Sequence, residues 1–150
     1  MIPIKPSDAI WTDEQWNAIY DKGHNIIVSA GAGSGKTAVL SERVIENLKS
    51  GMSIKEVLLL TFTKAASLEM KTRIRNKIKK NPSLSKELSL IDEAYITTFD
   101  SFALSIVKKY HYILNISPNV SIIDEPIIRI KKKEILTNIF DKFYENKNEK

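Results

Sequence analysis

The chain has no cysteine, which excludes disulfides and thiolate metal sites. Its two histidines, His24 and His111, are too few for a histidine-based metal cluster. No apolar run approaches the roughly 20 residues that a membrane span requires. The N-terminus, Met1-Ile2-Pro3-Ile4-Lys5-Pro6, lacks the apolar core of a secretory leader, so a cytoplasmic location is expected. Glycine is scarce: there are five in 150 residues, and Gly31, Gly33 and Gly35 crowd into one short segment. Proline is equally rare, with five residues.

What is present suits a globular domain: 43% of residues are hydrophobic, 27% are charged and the net charge is +5. The length is enough for one domain with a real core. The basic balance is compatible with a nucleic-acid partner but is weak evidence alone.

Strand and helix patterns alternate along the chain. Thr12-Asp13-Glu14-Gln15 has capping-box spacing, and Trp16, Ile19 and Tyr20 follow at helical spacing. A helix is expected from about Asp13 to Asp21, stopped near Gly23. Asn25–Ser29 reads as a buried strand. After the glycine-rich segment, Val39, Leu40, Val44, Ile45 and Leu48 form one face of a helix, with Gly51 as its stop.

Val57–Thr61 reads as a second strand, and a basic helix from about Ala65 to Lys80 ends at Asn81-Pro82. Leu84–Ile91 reads as a short helix and Tyr95–Thr98 as a third strand. Phe102, Ile106, Val107, Tyr110 and Leu114 form a helical stripe over 100–114, and Pro118 marks a turn. A fourth strand over Val120–Ile123 and a final helix over Ile127–Tyr144 complete the pattern. The charged residues 145–150 are expected to fray. This alternation predicts an α/β fold with a parallel, three-layer sheet. Nothing near the C-terminus reads as a domain completing its core, so the chain is expected to be part of a longer protein.

Residues 30–37, Ala-Gly-Ala-Gly-Ser-Gly-Lys-Thr, carry the main chemical signal. They match the phosphate-loop pattern G-x-x-x-x-G-K-[ST], with Ala30 at the first glycine position. Glycines let the backbone turn tightly and aim N–H groups inward, where they and the next helix stabilise phosphate oxygens. Lys36 would reach the β- and γ-phosphates, and Thr37 would offer its hydroxyl to Mg²⁺. The competing reading is a glycine-rich turn that merely joins strand to helix. The apolar run before the loop and the amphipathic pattern after it favour the phosphate-loop reading.

With that loop and three further segments in order, the chain resembles the UvrD-like helicases of superfamily 1. The fold this resemblance implies is a RecA-like P-loop NTPase motor domain. Upstream, Gln15 stands where the family places a glutamine that recognises adenine. An amide carries both donor and acceptor, which suits the adenine N6/N7 edge. The same Gln15 is also placed to cap its own helix, and the two roles compete for one side chain. With the resemblance, the adenine contact is favoured.

Leu60–Met70 resembles the family's motif Ia, which touches single-stranded DNA. Phe62 could stack a base, and Thr63 and Lys64 could meet phosphates. Some of the basic residues that follow, Lys71, Arg73, Arg75, Lys77, Lys79 and Lys80, are expected to be merely a solvated face. The asparagine usual before this stretch is absent. Ile96–Phe102 resembles motif Ib, implying DNA contacts at Thr98, Phe99 and Ser101. Asp100 stands where the family usually has histidine, and a carboxylate would repel a phosphate. Phe102 reads better as core.

Trp11–Ile19 and Phe102–Leu114 are most similar to the AddA branch of helicase–nuclease proteins. That resemblance implies ATP and Mg²⁺ as cofactors. Its implied partners are single- or double-stranded DNA and an AddB-like subunit, with no membrane. The implied role is in double-strand break repair and recombination. Residues 1–124 are then the N-terminal part of an ATP-binding motor domain, and 125–150 begin a helical segment leading into an inserted domain. Ser121–Glu125 has the look of a Walker B strand, but Pro126 and the brevity of the apolar run argue against it. The catalytic carboxylate is expected further downstream, so these residues alone should hydrolyse ATP negligibly.

Two other kinds of reading remain. A small stand-alone phosphotransferase would share the loop but needs acceptor-site arginines and a lid, neither of which is evident. A non-catalytic DNA-binding module would rely on the 64–80 helix alone. Another UvrD-like helicase is the nearer alternative to the AddA branch.

Overall fold

The computed structural model describes residues 2–148, and the chain separates into two compact units, residues 1–102 and 103–150. The first unit contains α1 (Asp13–Tyr20), α2 (Lys36–Lys49), β1 (Leu58–Thr61), α3 (Lys64–Lys79), α4 (Ser85–Leu90) and β2 (Tyr95–Thr98). Helix α5 (Phe99–Lys109) begins at its end. The second unit continues through turns to α6 (Glu125–Asn148). Glu149 and Lys150, within the stretch expected to fray, lie outside the described residues; α6 continues through Asn148.

Strands β1 and β2 pair in parallel, with Leu58 opposite Tyr95 and Thr61 opposite Thr98. Helix α3 is the crossover between them, and its Met70, Ile74 and Ile78 are buried with Leu59 and Ile96 of the sheet. Val44, Ile45 and Leu48 of α2 complete this cluster, joined by Ile54, Leu84 and Ile91. Each buried aliphatic side chain of this kind contributes about 1.5–3 kcal/mol, so this cluster dominates the stability of the unit.

The fold is α/β, with a sheet of two strands among the described residues rather than the four expected. Asn25–Ser29 and Val120–Ile123 are not strands. Ile27 is 95% exposed, and Val28 is more than half exposed. An isolated apolar segment gains no ladder hydrogen bonds, and without neighbours on both sides an alternating or apolar pattern cannot become a buried parallel strand. The residues around the expected Walker B look-alike accordingly form loop, with Glu125 opening α6. The helix expected over 100–114 ends at Lys109, and turns follow it as far as Asn115, which adopts a left-handed φ of 52°.

The basic face of α3 is largely consumed internally. Asp92 accepts Lys71 at 3.1 Å and Arg75 at 2.5 Å, Arg73 pairs with Glu69 at 2.9 Å, and Lys77 pairs with Glu42 of α2. Hydrogen bonding from Lys71, followed by the charge of Arg75, holds the Asp92 carboxyl below the usual aspartate range. Among the described residues no helix is long and apolar enough to cross a membrane.

Candidate functional site

Helix α1 is set by its cap. The Thr12 hydroxyl accepts the Gln15 backbone N–H at 3.3 Å, and the Thr12 backbone N–H donates to Gln15 Oε1 at 3.0 Å. The carboxyl of Glu14 is lowered from its ordinary value, first by its own backbone N–H and then by the Thr12 hydroxyl. Trp16 and Ile19 are buried, and Trp16 Nε1 donates to the Pro3 carbonyl at 2.9 Å, fastening the preceding segment.

The loop at 30–35 then turns into α2. Gly33 and Gly35 have φ of 76° and 81°, values that side-chain-bearing residues rarely adopt. Gly35 is the residue preceding α2, and no side chain caps that helix. Its first N–H groups are therefore available to an anion, the arrangement that favours phosphate. A Cβ at Gly35 would lie 3.2 Å from Gln15 Nε2, a tight contact that the amide would have to yield to by a few tenths of an ångström.

Lys36, at the first helical position, donates to the carbonyls of Ala30 at 2.7 Å and Gly31 at 2.5 Å. Among the described residues it forms no ion pair, so its charge is balanced only by loop dipoles. Thr37 follows it and is exposed. These features fit a triphosphate: open backbone, left-handed glycines, a free helix start and a cation with no fixed counter-charge. The fit to Mg²⁺ is narrower. Thr37 offers one oxygen, and no group of three or more acidic, cysteine or histidine side chains lies together among the described residues. Phosphate oxygens would have to supply most of the coordination.

Beside the loop lies a cleft of about 730 Å³. Ala18, Val28, Val39 and Leu40 give it apolar walls, and Gln15 and Lys36 line it as well. The structure thus brings Gln15, Ala30, Gly33, Ser34, Gly35 and Lys36 together around one cavity, while Gly31, Ala32 and Thr37 sit on the exposed loop and helix start beside it. Gln15 Nε2 donates to the Ser34 carbonyl at 3.0 Å, so its amide serves the helix cap and the loop together.

Arg43 belongs to none of the motifs legible in the sequence. It lines the same cleft and donates to the carbonyls of Ala18 at 2.8 Å and Ile19 at 3.3 Å. Helix α1 has no basic residue in its last turn, and Arg43 of α2 supplies that charge from outside. The available signal was a cation at i+4 from Val39 and i+3 from Leu40, inside the apolar stripe of α2.

The residues expected to meet DNA follow the carboxyl ends of the two strands. Phe62 comes after Thr61 and Phe99 after Thr98, and these threonines are paired. Both aromatics are exposed, Phe62 fully. Thr63 caps α3 by accepting the Ala66 N–H at 3.1 Å, and Lys64 is exposed at its first position. Thr98 is only 7% exposed and its hydroxyl donates to the half-buried Ser101 Oγ at 2.9 Å. Asp100 lies in the first turn of α5, where a carboxylate suits the helix dipole. Phe102 packs edge-to-face on Tyr95, in keeping with its reading as core.

The chain is 41% identical over 159 residues to a protein of Anoxybacillus flavithermus whose name describes an ATP-dependent helicase/nuclease subunit. The protein of that name in Lysinibacillus sphaericus is 42% identical over 158 residues. Each match covers 99% of this chain but 13% of the relative. The protein of the same name in Heliobacterium modesticaldum is 42% identical, covering 93% of this chain and 10% of the relative. Residues 11–150 match the UvrD/REP helicase N-terminal domain, and the chain belongs to that family.

Proposed function

We propose that this chain is the nucleotide-binding N-terminal part of an ATP-dependent DNA helicase and nuclease of the AddA type. The reading rests above all on the loop, where left-handed Gly33 and Gly35 lead into an uncapped helix that starts with Lys36. Ala30–Thr37 hold the phosphates, and Lys36 neutralises the β- and γ-phosphate charge. Thr37 adds one oxygen to Mg²⁺ held by those phosphates. Gln15 meets the adenine edge inside the cleft, with Val28 and Leu40 against its faces. Bound ATP-Mg supplies the energy for stepping along DNA; the residues here bind and orient it.

Single-stranded DNA crosses the carboxyl ends of β1 and β2. Phe62 and Phe99 stack bases, while Thr63, Lys64 and Ser101, with Thr98 holding the turn, face the backbone. Residues 1–124 serve as part of a RecA-like motor domain, its sheet completed by strands outside this pair, and 125–150 lead into a further helical region. The whole protein acts in the cytoplasm with an AddB-like partner on broken DNA, in repair and recombination. The chain by itself hydrolyses ATP negligibly, since phosphoryl transfer needs a positioned water and charge compensation at the γ-phosphate.

The test is ATP binding by the 150-residue chain together with DNA-stimulated ATPase of the full-length protein. Lys36→Ala should abolish turnover and weaken ATP binding at least tenfold, about 1.4 kcal/mol or more. Unchanged activity in Lys36→Ala would sink the reading.

A further inference from the structure

The amide of Gln15 is held at both ends by groups that can act in only one sense. The Thr12 backbone N–H can only donate, and it points at Oε1 at 3.0 Å. The Ser34 backbone carbonyl can only accept, and it faces Nε2 at 3.0 Å. Rotating the amide by half a turn would set donor against donor and acceptor against acceptor. Gly35 lies beside the amide, where a Cβ would come within 3.2 Å of Nε2. The amide therefore has one polarity, imposed by the helix cap on one side and the phosphate loop on the other.

We propose that this lock makes the Thr12 backbone N–H a positioning group for base selection, so that the cap of α1 sets the preference for adenine over guanine. The inference rests on the nucleotide-binding reading above. An amide oxygen has a second lone pair and an amide nitrogen a second hydrogen, so each atom keeps one bonding site after the lock is formed. Thr12, Gln15 and Ser34 all line the cleft. The amide thus offers the cleft an acceptor and a donor in fixed order. Adenine presents a complementary N6 donor and N7 acceptor, whereas guanine presents acceptors at both O6 and N7. A freely rotating amide could not rearrange to satisfy two acceptors fully, but it could turn its NH₂ toward O6 or N7 at little cost. The locked amide cannot, and its oxygen then opposes O6.

Thr12 allows the N–H to be removed cleanly. Its φ is −67°, the value proline imposes. Thr12→Pro deletes hydroxyl and N–H together, whereas Thr12→Ala deletes the hydroxyl and keeps the N–H. Binding of ATP, GTP and 7-deaza-ATP to the 150-residue chain is measured by titration calorimetry for each. Wild type and Thr12→Ala should prefer ATP to GTP by about tenfold, the worth of one well-made hydrogen bond. Both should also lose affinity for 7-deaza-ATP. In Thr12→Pro the ATP preference should fall to within about threefold of unity while triphosphate binding persists.

Hydrogen exchange gives a second readout that needs no proline variant. The Thr12 N–H should be protected in wild type and exposed in Gln15→Ala. An ATP preference unmoved by Thr12→Pro, or a Thr12 N–H that exchanges freely in wild type, overturns the lock. If neither triphosphate binds the wild-type chain, it is the nucleotide-binding reading that falls.

Discussion

Gly35 carries two constraints at once, a left-handed backbone and the nearness of Gln15 Nε2. Left-handed geometry costs a residue with a Cβ about 1–2 kcal/mol. Gly35→Ala should lower stability by about that amount in denaturant titration and weaken ATP binding, because the left-handed turn becomes strained and the Gln15 amide must give way. Phe62 poses the opposite case. It is fully exposed and buries nothing within this chain. Phe62→Ala should leave stability within about 0.5 kcal/mol of wild type. Its affinity for single-stranded oligonucleotide should fall by about 1–3 kcal/mol, measured by fluorescence anisotropy. A loss of stability without loss of DNA affinity would assign Phe62 to packing within this chain instead.

At the scale of elements, α3 joins two roles. One stripe, Met70, Ile74 and Ile78, closes the core beneath the sheet. The residues flanking that stripe, Lys71, Arg75 and Lys77, are tied to neighbouring elements through Asp92 and Glu42. The Asp92 carboxyl is held low in the folded chain by Lys71 and then Arg75. A depressed carboxyl favours the fold at pH above its unfolded value, and that contribution is lost as pH falls through the lowered folded value. Asp92→Asn should therefore be less stable than wild type near neutrality and converge with it below the ordinary aspartate range, followed by thermal unfolding against pH. Sequence pattern alone places α3 within a residue or two and names its cations. It could not show that Asp92, seventeen positions beyond Arg75, folds back to engage it.

For the whole molecule, the seven cations from Lys64 to Lys80 overstate the charge free to meet DNA. Of these seven, only Lys64, Lys79 and Lys80 are outside the ion pairs formed among the described residues. Binding of a single strand to this chain should then show a log–log salt slope of about −2 rather than about −5, at roughly 0.7 per phosphate. A slope near the larger figure, independent of nucleotide, would favour a DNA-binding module built on the basic helix. The chain covers 13% of the relatives from Anoxybacillus flavithermus and Lysinibacillus sphaericus. The exposed apolar residues at 27–28 and on α6, such as Ile135 and Phe140, are surfaces of the kind that further structure covers.

The sequence by itself determined what is encoded within a few residues. The capping box at Thr12–Gln15, the glycine loop with Lys36 and Thr37, the helix over 36–49 and the aromatics at 62 and 99 all follow from short spacings. Local geometry is enough for these, because caps, turns and helical faces are set by residues three or four apart. Only the tertiary structure decided the rest. Strand pairing needs partners distant in the chain, so β1 and β2 form while 25–29 does not. Arg43 capping α1, the ion pairs that occupy α3, and the single polarity of Gln15 all arise where separate elements meet. Gln15, which short spacing assigns to the helix cap and the family resemblance to base recognition, is held by both its helix and the phosphate loop, and each atom of its amide keeps one bonding site free.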